Sequence, residues 1–396
     1  MNILFLAPHP FFQNRGTPMD VLLVLRVLEE RRNIQVDLLT YNEGTNVSLQ
    51  NLRIIRIKNF KFTERVRPGF SFKKLVCDII MFFKAWSLAR QNNYDLVHAG
   101  EEAVFIALFF KVIYNIPYVY DLDSSIAQQL VEQIPFLRIA APIFKWMESH
   151  AIRHSLVNLP VCDALAELCK ENSSKKTVTL YDISQLRNPD APKTGKLREE
   201  LGIGGKILLY CGNLEKYQGI DLLLESFQLA CEKDHDLNLV IVGGVDESIQ
   251  NYRVKARRLR IETRTHFLGP KSFNELDEYL AEADILVSPR IRGVNTPMKI
   301  FPYLHSGNPV LVTDLRTHNQ LLTPKEAYLA PANPVGFSRG ILDLLQNEEL
   351  RKKLGENGRA FVERNHTYPD HQRRLHGVYD WIEARIKPAV VVEPGF

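Results

Sequence analysis

Cysteine is scarce in the chain and nothing in its spacing pairs it. Cys77, Cys162, Cys169, Cys211 and Cys231 are odd in number, form no CxxC pair and keep no metal-ligand spacing with histidine. A disulfide framework and a Cys/His metal site are thereby excluded, and reduced thiols with a packing role are expected. No apolar run is long enough to cross a bilayer, and the start, NILFLAP, has neither a basic leader nor a cleavage site, so a cytoplasmic location is expected. Neither GxxxxGK[ST] nor GxGxxG occurs, which removes the strongest support for a nucleoside triphosphatase or a dinucleotide enzyme. The net charge of +4 is nearly balanced and no nucleic-acid reader motif accompanies it, so no nucleic-acid partner is expected.

At 396 residues the chain suits two domains of ordinary size. Strand and helix signals alternate, as in parallel sheets covered on both faces. In the first half the strands read as residues 3–7, 35–40, 52–57, 96–99, 117–121 and 157–161. The stretch Asp182 to Gly205, rich in Pro, Gly and charge, is the linker candidate. The alternation restarts at Lys206, and helical stretches at residues 336–346, 349–363 and 371–386 close the chain.

Two strand-loop-helix units stand out in the second half. In Leu286 to Asp314, Asn295 or Thr296 is placed to cap a helix, Pro297 suits its first position, and Gly307 with Pro309 ends it. A helix starting there turns unpaired N–H groups toward the strand edge where open α/β sheets bind phosphates, and Lys299 adds a positive charge one turn in. An ordinary well-capped crossover would read the same way. In Ile207 to Phe227, a buried strand runs into Gly212, a polar loop from Asn213 to Gln218, and Gly219, before a helix with Ile220, Leu223, Leu224 and Phe227 on one face. Two such loops, about eighty residues apart, could hold a diphosphate between them.

Taken in order, MNILFLAPHPF, YCGNLEKYQGIDLLL, LVIVGG, FLGP, ADILVSPR and NTPMKIFPYLHSGNPVLVTD resemble the GT-B glycosyltransferases of the large retaining group usually called family 4. The resemblance implies an α/β chain of two Rossmann-like domains facing each other across a cleft. Residues 1–185 would form the acceptor side, 186–205 a linker and 206–368 the nucleotide-sugar donor domain, with a final helix at 369–387 packing back on the first domain. It further implies a nucleotide-sugar donor as substrate, no cofactor and no metal, and a front-face attack in which the leaving phosphate takes the acceptor proton. Charge builds on that phosphate in the transition state, so fixed N–H dipoles and cations beside it accelerate the transfer.

The chain departs from the family at its donor anchors. Asn213 and Gln218 stand where relatives carry Arg and Lys, and the two family glutamates fall near Val294 and at or beside Pro302. Lys216, Lys299, Arg290 or Arg292 could replace the lost cations, and Lys299 has the best-defined placement. Pro302 leaves the ribose without its usual carboxylate and can distort its helix.

In the first domain, Gly16, Thr17 and Pro18 mark a loop and helix start that the resemblance makes a wall of the reaction centre. Asp121, Asp123 and Ser124 emerge at the end of the fifth strand, and an aspartate there could bind sugar hydroxyls, stabilise the anomeric cation or cap the next helix. His98 reads as a packed strand-end histidine or acceptor-side group, Glu101 and Glu102 as first-turn helix carboxylates, and His9 as a weak acceptor-side candidate. Between Arg53 and Lys74 lie eight Lys or Arg residues, Arg53, Arg56, Lys58, Lys61, Arg65, Arg67, Lys73 and Lys74, against the single acid Glu64. Phe60, Phe62, Phe70 and Phe72 interleave with them and CDIIMFFKAW follows, a mixture suited to an anionic membrane surface carrying a lipid acceptor, or to a solvated basic loop beside a core helix. The expected function is sugar transfer from a nucleotide diphosphate to a lipid-linked or glycan acceptor. A non-catalytic scaffold of the same fold and a sugar-nucleotide epimerase are the alternatives.

Overall fold

The computed structural model of the chain describes residues 1–13, 16–60, 63, 71–133, 139–272 and 275–386. They divide into two units, Met1–Tyr181 with the segment from His371, and Asp182–Asp370.

The first unit is built on strands β1 (Asn2–Ala7), β2 (Gln35–Thr40), β3 (Leu52–Arg56), β4 (Leu96–Gly100), β5 (Tyr118–Leu122) and β6 (Val157–Pro160). All pair parallel, in the order β3-β2-β1-β4-β5-β6. Ile3 to Ala7 are all buried, because a parallel sheet is covered on both faces and needs apolar residues at successive positions. Leu4 and Leu6 join a core with helices Phe72–Gln91, Val104–Tyr114 and Ala141–His154. Phe5 points the opposite way and stacks on His98 with ring centres 4.3 Å apart. That second face is covered by the C-terminal helix Tyr368–Ile386, whose Leu375, Val378, Tyr379 and Ile382 are buried at helical spacing. Tyr379 Oη lies 2.7 Å from His98 Nδ1, and Arg31 pairs with Asp380 and Glu383 at 2.8 and 3.2 Å.

The second unit repeats the design with β7 (Lys206–Cys211), β8 (Leu237–Val242), β9 (Thr265–Gly269), β10 (Ile285–Ser288), β11 (Val310–Thr313) and β12 (Tyr328–Ala330). Its order is β12-β11-β10-β7-β8-β9, again parallel. Helix Ile220–Cys231 buries Ile220, Leu223, Leu224 and Phe227 completely against it. Truncating Phe227 to Ala would cost about 3–5 kcal/mol.

The segment at residues 186–205 is not a bare connector. It contains a helix, Lys196–Leu201, and buries Leu186, Leu197 and Ile203 in the second unit's core beside Val240 and Leu286. Arg198 pairs with Asp284 at 2.7 Å. Three apolar residues spread among Pro, Gly and charge carry no periodicity, so composition conceals their burial. The division between units falls earlier, after Tyr181. Among the described residues no helix is long and apolar enough to cross a membrane.

Candidate functional site

In the second unit β7 and β10 are neighbours, yet β7 leads to β8 on one side and β10 leads to β11 on the other. The crossovers diverge at that point, and the C-terminal ends of the two strands are left open to a ligand. The two loops that follow them are laced together. Gly219 has φ +76°, and a Cβ there would lie 1.9 Å from the Pro289 carbonyl oxygen. Ile291 N donates to Tyr217 O at 3.0 Å. Only glycine permits both that backbone angle and that approach.

Lys299 occupies the centre of this junction. Its Nζ donates to Gln218 Oε1 at 3.2 Å and sits 3.9 Å from the centre of the Tyr210 ring. A Cβ on Gly212 would come within 2.7 Å of that nitrogen, so the glycine makes room for the ammonium. Burial pushes Lys299 down to about 7; Cys211 opposes the shift and Arg290 adds to it. A lysine so placed gains its charge most readily when an anion arrives.

The remaining donor-side residues are arranged around it. Asn213 is exposed, its side chain within 3.4 Å of Tyr217 Oη, and its carbonyl accepts from Tyr210 Oη at 2.6 Å. Gln218 and Arg290 are buried. The Arg290 guanidinium stacks 5.2 Å from the Tyr217 ring and donates to Asn295 Oδ1 at 2.7 Å and to Arg292 O at 2.8 Å. Lys216 and Arg292 are exposed.

The helix start differs from the expected one. The helix runs Ile300–His305, three residues later than Pro297, and neither Asn295 nor Thr296 caps it. Asn295 Oδ1 is engaged by Arg290, while Thr296 Oγ1 accepts from Gln320 at 3.3 Å. A tighter turn precedes the helix, with Ile300 N bonded to Pro297 O and Phe301 N to Met298 O, so Lys299 sits at the cap position itself. Pro302 does not distort the helix. It falls in the first turn, where its missing N–H would have had no intrahelical partner.

A brace beneath this loop carries only a faint sequence signal. His318 is buried between the ends of β10 and β11, with Nε2 3.0 Å from Ser288 Oγ and Nδ1 3.1 Å from Thr313 Oγ1. Thr317 donates to Asn295 O at 2.8 Å and Gln320 to Val294 O at 2.6 Å. The polar run RTHNQ after a buried strand was the one available hint.

The first unit has the same divergence between β1 and β4. His9 is buried after β1, with Nδ1 3.1 Å from Pro10 O. Helix Gly16–Glu29 begins at Gly16, and Thr17, inside its first turn, reaches Glu101 Oε1 at 3.5 Å. Glu101 and Glu102 form a short turn before helix Val104–Tyr114 and both pair with Lys74, at 3.1 and 2.7 Å. Burial opposes the Lys74 charge, but the two glutamates outweigh it and raise the ammonium. Burial, with Glu101 and Asp78 nearby, raises Glu102 despite Lys74. Lys74 is therefore an internal counter-ion and no part of a basic surface.

The other members of the basic segment divide in the same way. Arg53 pairs with Asp37 and Arg56 donates to Glu43 O, Thr45 O and Asn46 Oδ1. Lys58 and Lys73 are exposed. Lys61, Phe62, Glu64, Arg65, Arg67 and Phe70 lie outside the described residues.

At the end of β5, Asp121 is buried with Oδ2 3.4 Å from His98 Nε2, and His98 is enclosed by Phe5 and Tyr379. Asp123 is half-buried. Ser125 sits before helix Ile126–Gln133, its Oγ accepting from Gln128 N at 3.2 Å and donating to Glu148 at 2.8 Å. Ser124 Oγ accepts from Gln129 at 2.6 Å.

Residues 194–361 match the family model described as glycosyl transferases group 1. An uncharacterised glycosyltransferase of Methanocaldococcus jannaschii is 31% identical over 359 residues, covering 86% of this chain and 88% of that protein. Among solved structures, sucrose-phosphate synthase from Thermosynechococcus elongatus superposes with a TM-score of 0.77 at 17% identity, covering 97% of this chain and 99% of that one. Anabaena HepE in complex with UDP gives 0.75 at 14%, covering 96% and 100%.

Proposed function

The chain belongs to the glycosyl transferases group 1 family and has the GT-B fold, and from that premise we propose that it moves a sugar from a nucleoside-diphosphate donor to a glycan or lipid-linked acceptor, with retention. The observation that carries the donor assignment is Lys299, its Nζ held by Gln218 and Tyr210 where Gly212 leaves space. In this reading the diphosphate sits at the ends of β7 and β10. Lys299 meets the charge that grows on the leaving phosphate, and the Gln218 amide nitrogen supplies a second donor. Arg290 shapes the loop through Asn295 and adds field from behind. Protein cations in this position allow transfer without a metal.

UDP, the nucleotide held by Anabaena HepE, is the first candidate, with GDP, ADP, CDP and TDP beside it. The test is calorimetric binding of each to the wild type and to Lys299→Ala, followed by product analysis of the matching nucleotide sugars with and without acceptors. Selective binding that the variant loses, together with acceptor-dependent product, is the expected result. Unchanged binding in Lys299→Ala would remove this lysine from the donor site, and conversion of the donor without an acceptor would favour an epimerase.

A further inference from the structure

Sixteen large apolar side chains are exposed among the described residues, and ten of them, from Phe72 to Trp146, lie in one stretch of the first unit. They fall on the outer sides of helices Phe72–Gln91 and Val104–Tyr114 and on, or just before, helix Ala141–His154, three helices whose inner sides share one core against the sheet. On the first, Phe72, Leu75, Ile79 and Phe83 recur at helical spacing and are between 42% and 75% exposed. They lie opposite the buried Cys77, Met81 and Ala85. A helix that packs on one side and needs no partner on the other would carry polar residues there. Val112 and Ile113 continue the apolar surface at the end of the second helix, and Ile139, Ile143 and Trp146 on the third side, the last three at 92%, 61% and 63% exposure. The helices are joined laterally, with Phe82 and Trp86 against Phe109 and the Trp86 indole N–H donating to Tyr114 Oη at 2.7 Å. Single exposed apolar residues need no explanation, but a patch of this extent does.

The exposed charges on the same three helices have one sign. Lys73, Lys84, Arg90, Lys145 and Arg153 are exposed and Lys111 is half-buried. The acids are two, and both are turned inward: Glu148 is buried against Ser125, and Asp78 accepts from Tyr41 Oη at 2.5 Å. At one end of the stripe a surface depression of about 470 Å³ is lined by Phe83, Trp86 and Arg90 with Ser87 and Gln91, so a cation stands beside apolar walls. Apolar and aromatic side chains interspersed with lysine and arginine, with no exposed acid, match the interfacial layer of an anionic bilayer, where the rings enter the headgroup boundary and the cations meet lipid phosphates.

We infer that the outer face of these three helices docks the protein on an anionic lipid bilayer. The inference deepens the lipid-acceptor reading above and rests on it only for purpose, because docking needs no donor. It centres the membrane contact on the helices from Phe72 onward, because within the described part of the basic segment Lys74 is closed in by Glu101 and Glu102, Arg56 is held by backbone carbonyls and Arg53 is paired with Asp37 at the surface.

Flotation with phosphatidylcholine vesicles and with equimolar phosphatidylcholine–phosphatidylglycerol vesicles tests it. The wild type floats with the mixed vesicles and stays behind with pure phosphatidylcholine. Ile79→Glu with Phe83→Glu, Ile143→Glu with Trp146→Glu, and Lys84→Glu with Lys145→Glu each reduce partitioning roughly tenfold or more. All six positions are exposed, so the melting temperature and calorimetric nucleotide binding stay at wild-type values, which separates failure of docking from failure of the donor site. Reversal of Lys352 and Lys353 in the second unit changes nothing. Equal binding of wild type and apolar variants to mixed vesicles, no binding by the wild type, or a lipid-free dimer that the same substitutions dissolve would each overturn the inference.

Discussion

Gly219 and Pro289 meet backbone to backbone, with no space between them for a Cβ, and this contact ties the loop after β7 to the loop after β10. Gly219→Ala adds a left-handed alanine, costing about 1–2 kcal/mol, and drives the two loops apart. Nucleoside-diphosphate binding by the folded variant should weaken at least roughly tenfold, since small displacements of a binding loop are expensive. Wild-type affinity in calorimetry would detach the β7 loop from the donor site.

Lys299 makes donor binding depend on pH. Its ammonium is held down to about 7 in the free protein, and a bound diphosphate raises it, so binding takes up a proton. Affinity should be greatest below about pH 7 and fall as the pH rises above it, until the raised value of the bound state is reached. A nucleotide sugar is the right probe, because its diphosphate does not titrate in this range. Lys299→Arg should flatten the profile; an identical slope in that variant would assign the proton to another group.

Thr317 should act through position and not through contact with substrate. Its hydroxyl donates to Asn295 O at 2.8 Å and is almost fully buried. Thr317→Val keeps the shape and leaves that carbonyl unsatisfied, a cost of about 1–3 kcal/mol. The expected signature is a several-fold rise in KM for the donor with kcat little changed, and a proportionate fall in kcat alone would place Thr317 in the chemistry instead.

His318 is pushed down to about 3, first by burial, so the folded protein keeps it neutral. Below its unfolded value of about 6.5 the unfolded chain binds a proton that the folded chain refuses, and stability drains away as the pH falls toward the folded value. The share lost by about pH 5 is about 2 kcal/mol. Asp78 and Glu102, raised by burial, act in the opposite sense above the ordinary carboxylate range, so the comparison of interest is wild type against His318→Gln. Between neutral pH and about pH 5 the wild type should lose about 2 kcal/mol more than the variant in urea unfolding, and parallel shifts in both proteins would refute the assignment.

The strands of the first sheet were legible because each is a short apolar run bounded by turn residues, and all six were placed within two residues of their ends. The glycines of the β7 loop were legible for the same reason that they are needed there, a positive φ and a close approach. What could not be read was partnership at long range. Lys74 looked like one of eight surface cations until Glu101 and Glu102, brought over by β4, enclosed it. Gln218 looked like the loss of a lysine, yet it supports one that comes from a different loop. The cap residues Asn295 and Thr296 were taken by Arg290 and Gln320, whose approach depends on the whole sheet.

The C-terminal helix has a consequence for the order in which the chain can mature. Residues 182–370 form one uninterrupted segment and can complete their core as soon as they are made. The first unit cannot, because one face of its sheet, around Phe5 and His98, waits for Tyr379. During synthesis the half that is made first is finished last, and the exposed face in the interval is where a chaperone, or aggregation, would find it. A separately produced first half would have to carry the closing helix with it.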